Sequence, residues 1–136
     1  MLRNSYKSTI IDKALRKNVK ISLPEISDYR IIEASTELIN LGFNVVDLVH
    51  LKKNDLLYKQ KLLKKKFSLN WTDSMLDDFM NCSINYSMLA LCNNDVDCII
   101  AGAVNNTSTI LRSAIRLVGV KKTSKWVSSV FLMISP

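Results

Sequence analysis

The chain has 136 residues, 48% of them apolar and 23% charged. That balance fits one globular domain and excludes a disordered tail, a collagen-like repeat and a coiled coil. Nineteen Lys and Arg against twelve Asp and Glu give a net charge of +7. No apolar run reaches the roughly 18–20 residues that span a membrane, and residues 1–12 lack the apolar centre of a secretory signal, so a cytoplasmic protein is expected.

Residues 18–24 (NVKISLP) alternate Val19, Ile21 and Leu23 with polar partners and predict a strand closed by Pro24. Ser27 and Asp28 are N-cap candidates for a helix carrying Ile31, Ala34, Leu38 and Leu41, with Gly42 as its left-handed end. Residues 43–50 (FNVVDLVH) are β-branched and apolar and predict a second strand. Residues 52–66 hold seven Lys and one Asp, a contribution of +6 to the net charge, with Leu56, Leu63 and Phe67 near helical spacing. A Lys-covered amphipathic helix of this kind suits nucleic acid or an anionic surface. The plainer alternative is a solvated helix whose Lys stems lie on apolar surface, and no aromatic platform or zinc-finger spacing accompanies the run, which reads against nucleic acid.

Residues 73–91 predict one helix, with Met75, Leu76, Phe79, Met88 and Leu89 as its core side chains. Residues 96–103 (VDCIIAGA) are nearly all apolar, as in a strand buried on both faces. A strongly patterned helix follows over residues 108–118, ending at Gly119, and residues 126–134 (WVSSVFLMI) predict a fourth strand. The order β-α-β-α-α-β-α-β implies a parallel sheet with right-handed crossovers. Ending two residues after a strand leaves apolar sheet surface for more chain or another subunit to cover, so the sequence reads as the first part of something longer. Cys82, Cys92 and Cys98 form no CxxC pair and read as reduced thiols. No histidine–carboxylate cluster suggests a metal site, His50 is the single histidine and reads as structural, and neither a Walker A nor a GxGxxG run is present.

In open α/β sheets ligands bind beyond the C-terminal ends of the strands. The strongest such place is residues 101–108 (AGAVNNTS), which leave the buried strand and open a helix. A helix N-terminus offers free N–H groups to an anion, Gly102 admits close approach, and Thr107 and Ser108 add hydroxyls. Ser108, Arg112 and Arg116 are spaced i, i+4, i+8 as one polar stripe on an otherwise apolar helix, and a guanidinium can take a phosphate bidentately. The alternative is an ordinary capped helix with one solvated face. The first strand–helix turn is a weaker place of the same kind: Arg30 stands near a helix N-terminus, where its charge is unfavourable unless an anion or a carboxylate is near; the alternative is a pairing with Glu25 or Glu33.

Three segments, 23–35 (LPEISDYRIIEAS), 95–119 (DVDCIIAGAVNNTSTILRSAIRLVG) and 127–133 (VSSVFLM), resemble the phosphate acetyl/butyryl transferase family in order and spacing. The resemblance spans essentially this whole chain and the N-terminal part, under half, of the family's protein. It implies an α/β, parallel-sheet, three-layer domain of the isocitrate/isopropylmalate dehydrogenase-like type, present here incompletely. It implies an activity that moves an acetyl group between coenzyme A and phosphate through acetyl phosphate, with coenzyme A as a substrate and no cofactor. By the same resemblance Thr107 and Arg112 match the substrate-side motif after the strand's Gly102 and Ala103, with Arg112 the candidate for phosphate. Ser128 and Ser129 match a hydroxyl pair on the next strand, Glu25 and Arg30 match the first turn's motif, and a homodimer or a C-terminal fragment is the expected partner. Gly102 and Ser108 join the phosphate-binding candidates through the helix N-terminus described above. No catalytic residue is assigned here, because the family's catalytic Asp and Ser match nothing in this chain. The family has Gly where this chain has Ile26 and Ser87, and Pro where it has Ser113, so a blocked or strained turn is expected. A catalytically inactive remnant or interaction module of the same fold is the alternative.

Overall fold

The structure, a computed structural model, describes residues 2–124 and 126–129, with side chains from residue 7 onward. The chain runs through α1 (Leu2–Lys17), β1 (Lys20–Ser22), α2 (Tyr29–Asn40), β2 (Asn44–Val45), a 3-10 helix (Leu48–Asn54), α3 (Asp55–Leu63), a 3-10 turn (Lys66–Ser68), α4 (Asp73–Met80), α5 (Ser83–Cys92), β3 (Cys98–Ile99) and α6 (Thr107–Leu117). The strands form a parallel sheet in the order β2-β1-β3, with Ile21 beside Val45 on one edge and beside Cys98 on the other. The α/β class and the parallel pairing are those expected from the sequence.

Alpha-2 begins and ends as its sequence dictates. Asp28 is its N-cap and accepts from the Arg30 N–H at 2.9 Å. Gly42, at φ 92°, donates to Ile39 O, and Phe43 donates to Leu38 O, a Schellman closure.

Several expectations are corrected. The N-terminal residues, whose sequence shows no element, form α1, which lacks an apolar stripe and stops where Asn18 turns left-handed at φ 44°. The strand over residues 43–50 shrinks to β2, because the Asp47 carboxylate accepts the Val49 N–H at 2.9 Å and turns the chain into the 3-10 helix. His50 therefore sits exposed on that 3-10 helix rather than at a strand end. The Lys-rich helix over residues 52–66 is interrupted at both ends, leaving nine residues of α3. The single helix over residues 73–91 breaks at Asn81 and Cys82, and Asn85 Nδ2 satisfies the Phe79 carbonyl at 3.1 Å where α4 ends. Met75, expected in the core, is exposed. Of the fourth strand, residues 126–129 are exposed and irregular, and residues 130–134 lie outside the described residues.

The core lies among α3, α4, α5 and α6, around Tyr58, Leu62, Leu76, Ile84, Leu89 and Leu117. Alpha-2 buries no residue fully and leaves Ile32 and Ile39 more than half exposed. On α6, Ile110, Ala114 and Leu117 face the core while Leu111, Ile115 and Val118 stay exposed. Two tyrosine hydroxyls are held inside by carboxylates, Tyr58 on Asp95 and Tyr86 on Asp55, each at 2.5 Å, and their rings meet edge to face at 5.2 Å. Burial first, then these bonds, push both phenol pKa values up.

The strain expected at Ile26 and Ser87 is absent: among the described residues only Asn18 and Asn94 are non-glycine positions with positive φ. Ser87 lies inside α5, fully buried, and its Oγ pairs with Ser22 Oγ of β1 at 2.9 Å. Ser113 Oγ donates to Asn85 Oδ1 at 2.8 Å, joining α6 to α5. Ser87→Ala leaves the Ser22 hydroxyl buried without a partner and is expected to cost about 1–2 kcal/mol. Adding Ser22→Ala should cost less than the sum of the two single changes, and urea denaturation of the double-mutant cycle measures the difference.

Candidate functional site

Alpha-2 leads from β1 outward to β2, and the long connection from β2 returns past β1 to β3. The chain thus diverges at the C-terminal ends of β1 and β3, where open α/β sheets place their ligands. Two turns meet there, residues 23–28 after β1 and residues 100–106 after β3.

Pro24 has no N–H to give and ends the first strand, and Glu25 follows it. The Glu25 side chain crosses to the other turn and lies within it. Its Oε2 accepts from the N–H groups of Gly102 at 2.7 Å and Ala103 at 2.8 Å. Its Oε1 accepts from the N–H groups of Val104 at 3.2 Å and Asn105 at 2.7 Å, and from Asn105 Nδ2 at 2.8 Å. Four successive backbone N–H groups thus converge on one anion, a nest. Gly102 makes this geometry with φ 118°, a left-handed conformation that disfavours other residues.

Glu25 is 3% exposed. Burial alone raises its pKa; the bonds from Asn105, Ala103 and Gly102 outweigh it and hold the carboxyl at about 2. Arg30 grips the same turn from outside. Its Nη2 donates to Ala103 O at 3.1 Å and to Asp28 Oδ2 at 2.7 Å, while its Nε donates to Asp28 Oδ1 at 2.9 Å. These bonds hold the Asp28 carboxyl at about 2.

Two sequence expectations change here. The N–H groups of residues 102–105 were expected to await an external anion, but the protein's own carboxylate occupies them. Arg30 does have the nearby carboxylate its placement calls for, but the ion pair is with Asp28 rather than Glu25 or Glu33.

Asn106 caps α6, accepting from the Thr109 N–H at 2.9 Å and from Ser108 Oγ at 2.8 Å. Thr107, Ser108 and Arg112 are exposed on its first turns, and Arg112 makes no ion pair among the described residues. Ser108, Arg112 and Arg116 are all exposed on α6, as their spacing predicts, and the Arg116 guanidinium carbon lies 5.9 Å from the Phe67 ring centroid. Ser128 and Ser129 are exposed in irregular chain. The structure therefore brings Glu25, Arg30 and Gly102 together, sets Thr107, Ser108 and Arg112 beside them along the chain, and joins neither Ser128 nor Ser129 to the group by a hydrogen bond.

The lysines of residues 52–66 are partly engaged within the fold. Lys59 pairs with Asp77 at 2.7 Å. Lys61 reaches Cys92 O and Asn93 Oδ1 at the end of α5, and Lys65 donates to Leu117 O at the end of α6 at 2.7 Å. Cations at helix C-termini satisfy carbonyls that have no helical partner and complement the helix dipole.

Sequence reading missed two clefts of about 290 Å³ that share Ile26 and Leu48. One is lined by Lys52, Asp55 and Tyr86, the other by the apolar side of α2. The interrupted strand at residues 43–50 hid them, because the 3-10 helix supplies a wall of each. Cys82, Cys92 and Cys98 are free thiols, and burial pushes the latter two up in pKa.

A parallel α/β sheet with a charged turn at its switch point is the class of protein that fold and site define. The chain belongs to the phosphate acetyl/butaryl transferase family, whose model matches residues 39–136. It is 26% identical over 155 residues to the phosphate acetyltransferase of Acetivibrio thermocellus, an alignment covering 97% of this chain and 47% of that protein. It thus spans about half the length of the curated relative it matches. The EutD phosphotransacetylase from Staphylococcus aureus shares the fold, with a TM-score of 0.74 at 20% identity, over 92% of this chain and 45% of that one. No helix among the described residues is long and apolar enough to cross a membrane.

The depressed pKa of Glu25 makes a signed prediction. Its stabilisation is present above the ordinary carboxyl pKa of 4.5 and is lost as pH falls from there through about 2. The shift corresponds to about 3 kcal/mol at neutral pH. Glu25→Gln should be less stable than the unaltered chain by that order at pH 7, with the gap closing in acid. Urea denaturation of both proteins between pH 7 and pH 3 measures it.

Proposed function

We propose that residues 1–136 are the N-terminal portion of a phosphate acetyltransferase, with acetyl-CoA + phosphate = acetyl phosphate + CoA as the reaction of the whole enzyme. The observation that carries this reading is the family membership over residues 39–136 together with Arg112, exposed and without an ion pair among the described residues, on the helix that starts at the end of the pinned switch-point turn. In this reading Arg112 takes the phosphate, or the phosphoryl end of acetyl phosphate, through a charge-assisted bond, and the Thr107 and Ser108 hydroxyls add donors. Ser128 and Ser129 lie on the same side, supported only by their match to the family's motif. The domain is of the isocitrate/isopropylmalate dehydrogenase-like type, acts in the cytoplasm and works with a C-terminal portion or a homodimer partner. Coenzyme A is a substrate, and no cofactor is required.

The chemistry needs two further things. A base must take the proton of the coenzyme A thiol, and donors must stabilise the carbonyl oxygen as the acetyl group changes hands. No residue of this chain is assigned either role. What this chain supplies is binding and orientation of phosphate, the part of catalysis that comes from holding reactants in place.

The test is acetyl-CoA turnover in phosphate, read as thiol release, by the folded chain alone and with the C-terminal half of a phosphate acetyltransferase. Phosphate-dependent release is expected from the pair and not from the chain alone. Arg112→Ala should lower that release by about a hundredfold, the loss of one charged contact of about 3 kcal/mol. Absence of turnover from a folded pair would favour the alternative, a catalytically inactive remnant of the fold.

A further inference from the structure

Every backbone N–H from Gly102 to Asn105 is bonded to Glu25, a buried carboxylate. A second anion cannot use those groups without displacing it. The same carboxylate takes Asn105 Nδ2, and Arg30 holds the Ala103 carbonyl from the opposite direction. Donors and acceptor of one turn are thus fixed by two charged residues of another. The helix that carries Arg112 starts directly beyond the fixed residue: Asn106 is the N-cap of α6, and Thr107 is its first residue.

We propose that Glu25 is a positioning residue for phosphate: it is the resident anion of the 102–105 turn, it sets the start of α6, and it leaves phosphate to the side chains of Thr107, Ser108 and Arg112 rather than to the backbone nest. The proposal rests on the reading of Arg112 as the phosphate ligand. A neutral amide cannot replace Glu25, because an amide NH2 would face N–H donors. A small external carboxylate can replace it once the side chain is removed, because the nest itself is made of backbone.

The experiment uses the full chain, isotopically labelled, with inorganic phosphate as the probe and NMR as the readout. In the unaltered chain, phosphate is expected to move the Arg112 Nε–H and the Thr107 and Ser108 signals, while the amides of residues 102–105 stay protected from exchange. In Glu25→Ala those amides should exchange at least about tenfold faster, as for lost bonds of about 1.4 kcal/mol. Phosphate affinity should fall at least threefold, and millimolar acetate should restore both. Glu25→Gln should show the same losses without rescue, and serves as the comparison if Glu25→Ala does not fold. Phosphate shifting the 102–105 amides of the unaltered chain would overturn the proposal. So would unchanged protection and affinity in a folded Glu25 variant. If the unaltered chain binds no phosphate, the Arg112 reading fails and takes the positioning role with it, whereas phosphate binding indifferent to Glu25 sinks the positioning role alone.

Discussion

The Glu25 carboxylate joins the turn after β1 to the turn after β3, residues nearly eighty positions apart in the chain. The strands beneath are two and three residues long and contribute few ladder bonds. A sheet so short fixes the relative position of its ends weakly, because each strand is held by only a few bonds. Five bonds to one buried anion supply what the ladder lacks. They also keep residues 102 and 103 from continuing the strand, because the N–H groups of residues 102–105 point at Glu25.

Polar pairs recur where α5 meets the sheet and where helices meet one another. Ser87 meets Ser22 between α5 and β1, and Ser113 meets Asn85 between α6 and α5. Lys61 and Lys65 of the α3 region close the ends of α5 and α6. Each pair is worth little alone, but a buried polar group without its partner is costly. Such pairs therefore specify which surfaces meet more than they add stability. The resemblance implies a blocked or strained turn where a family Gly is lost. At Ser87 and Ser113 the hydroxyl is instead a joint between elements.

The sequence made legible what depends on local pattern. Strand β1, α2 with its Asp28 and Gly42 ends, and the body of α6 follow from alternation, helical spacing and capping chemistry. It misled where one side chain overrides the pattern. The apolar run at residues 43–50 looks like a strand until the Asp47 carboxylate bends it, and the run at residues 96–103 looks like one until Glu25 captures its end. Alpha-1 was illegible because it carries no apolar stripe to reveal a helical period. Glu25 and residues 101–108 stand out in the sequence separately, and the contact between them is not legible there because it is set by tertiary structure.

That contact changes what an anion-binding turn means in this chain. Helix N-termini and nests attract anions of any origin, so the pattern AGAVNNTS leaves the origin open. Burial decides between them here. A carboxylate 3% exposed and held at a pKa of about 2 is a permanent part of the turn at any physiological pH. The positive potential of the nest is then largely cancelled, and a phosphate approaching the switch point meets a fixed negative charge behind the turn. In the proposed reading the phosphate is therefore held by a cation projecting beyond that charge, a place that suits Arg112, exposed on α6, better than Arg30, which is paired with Asp28.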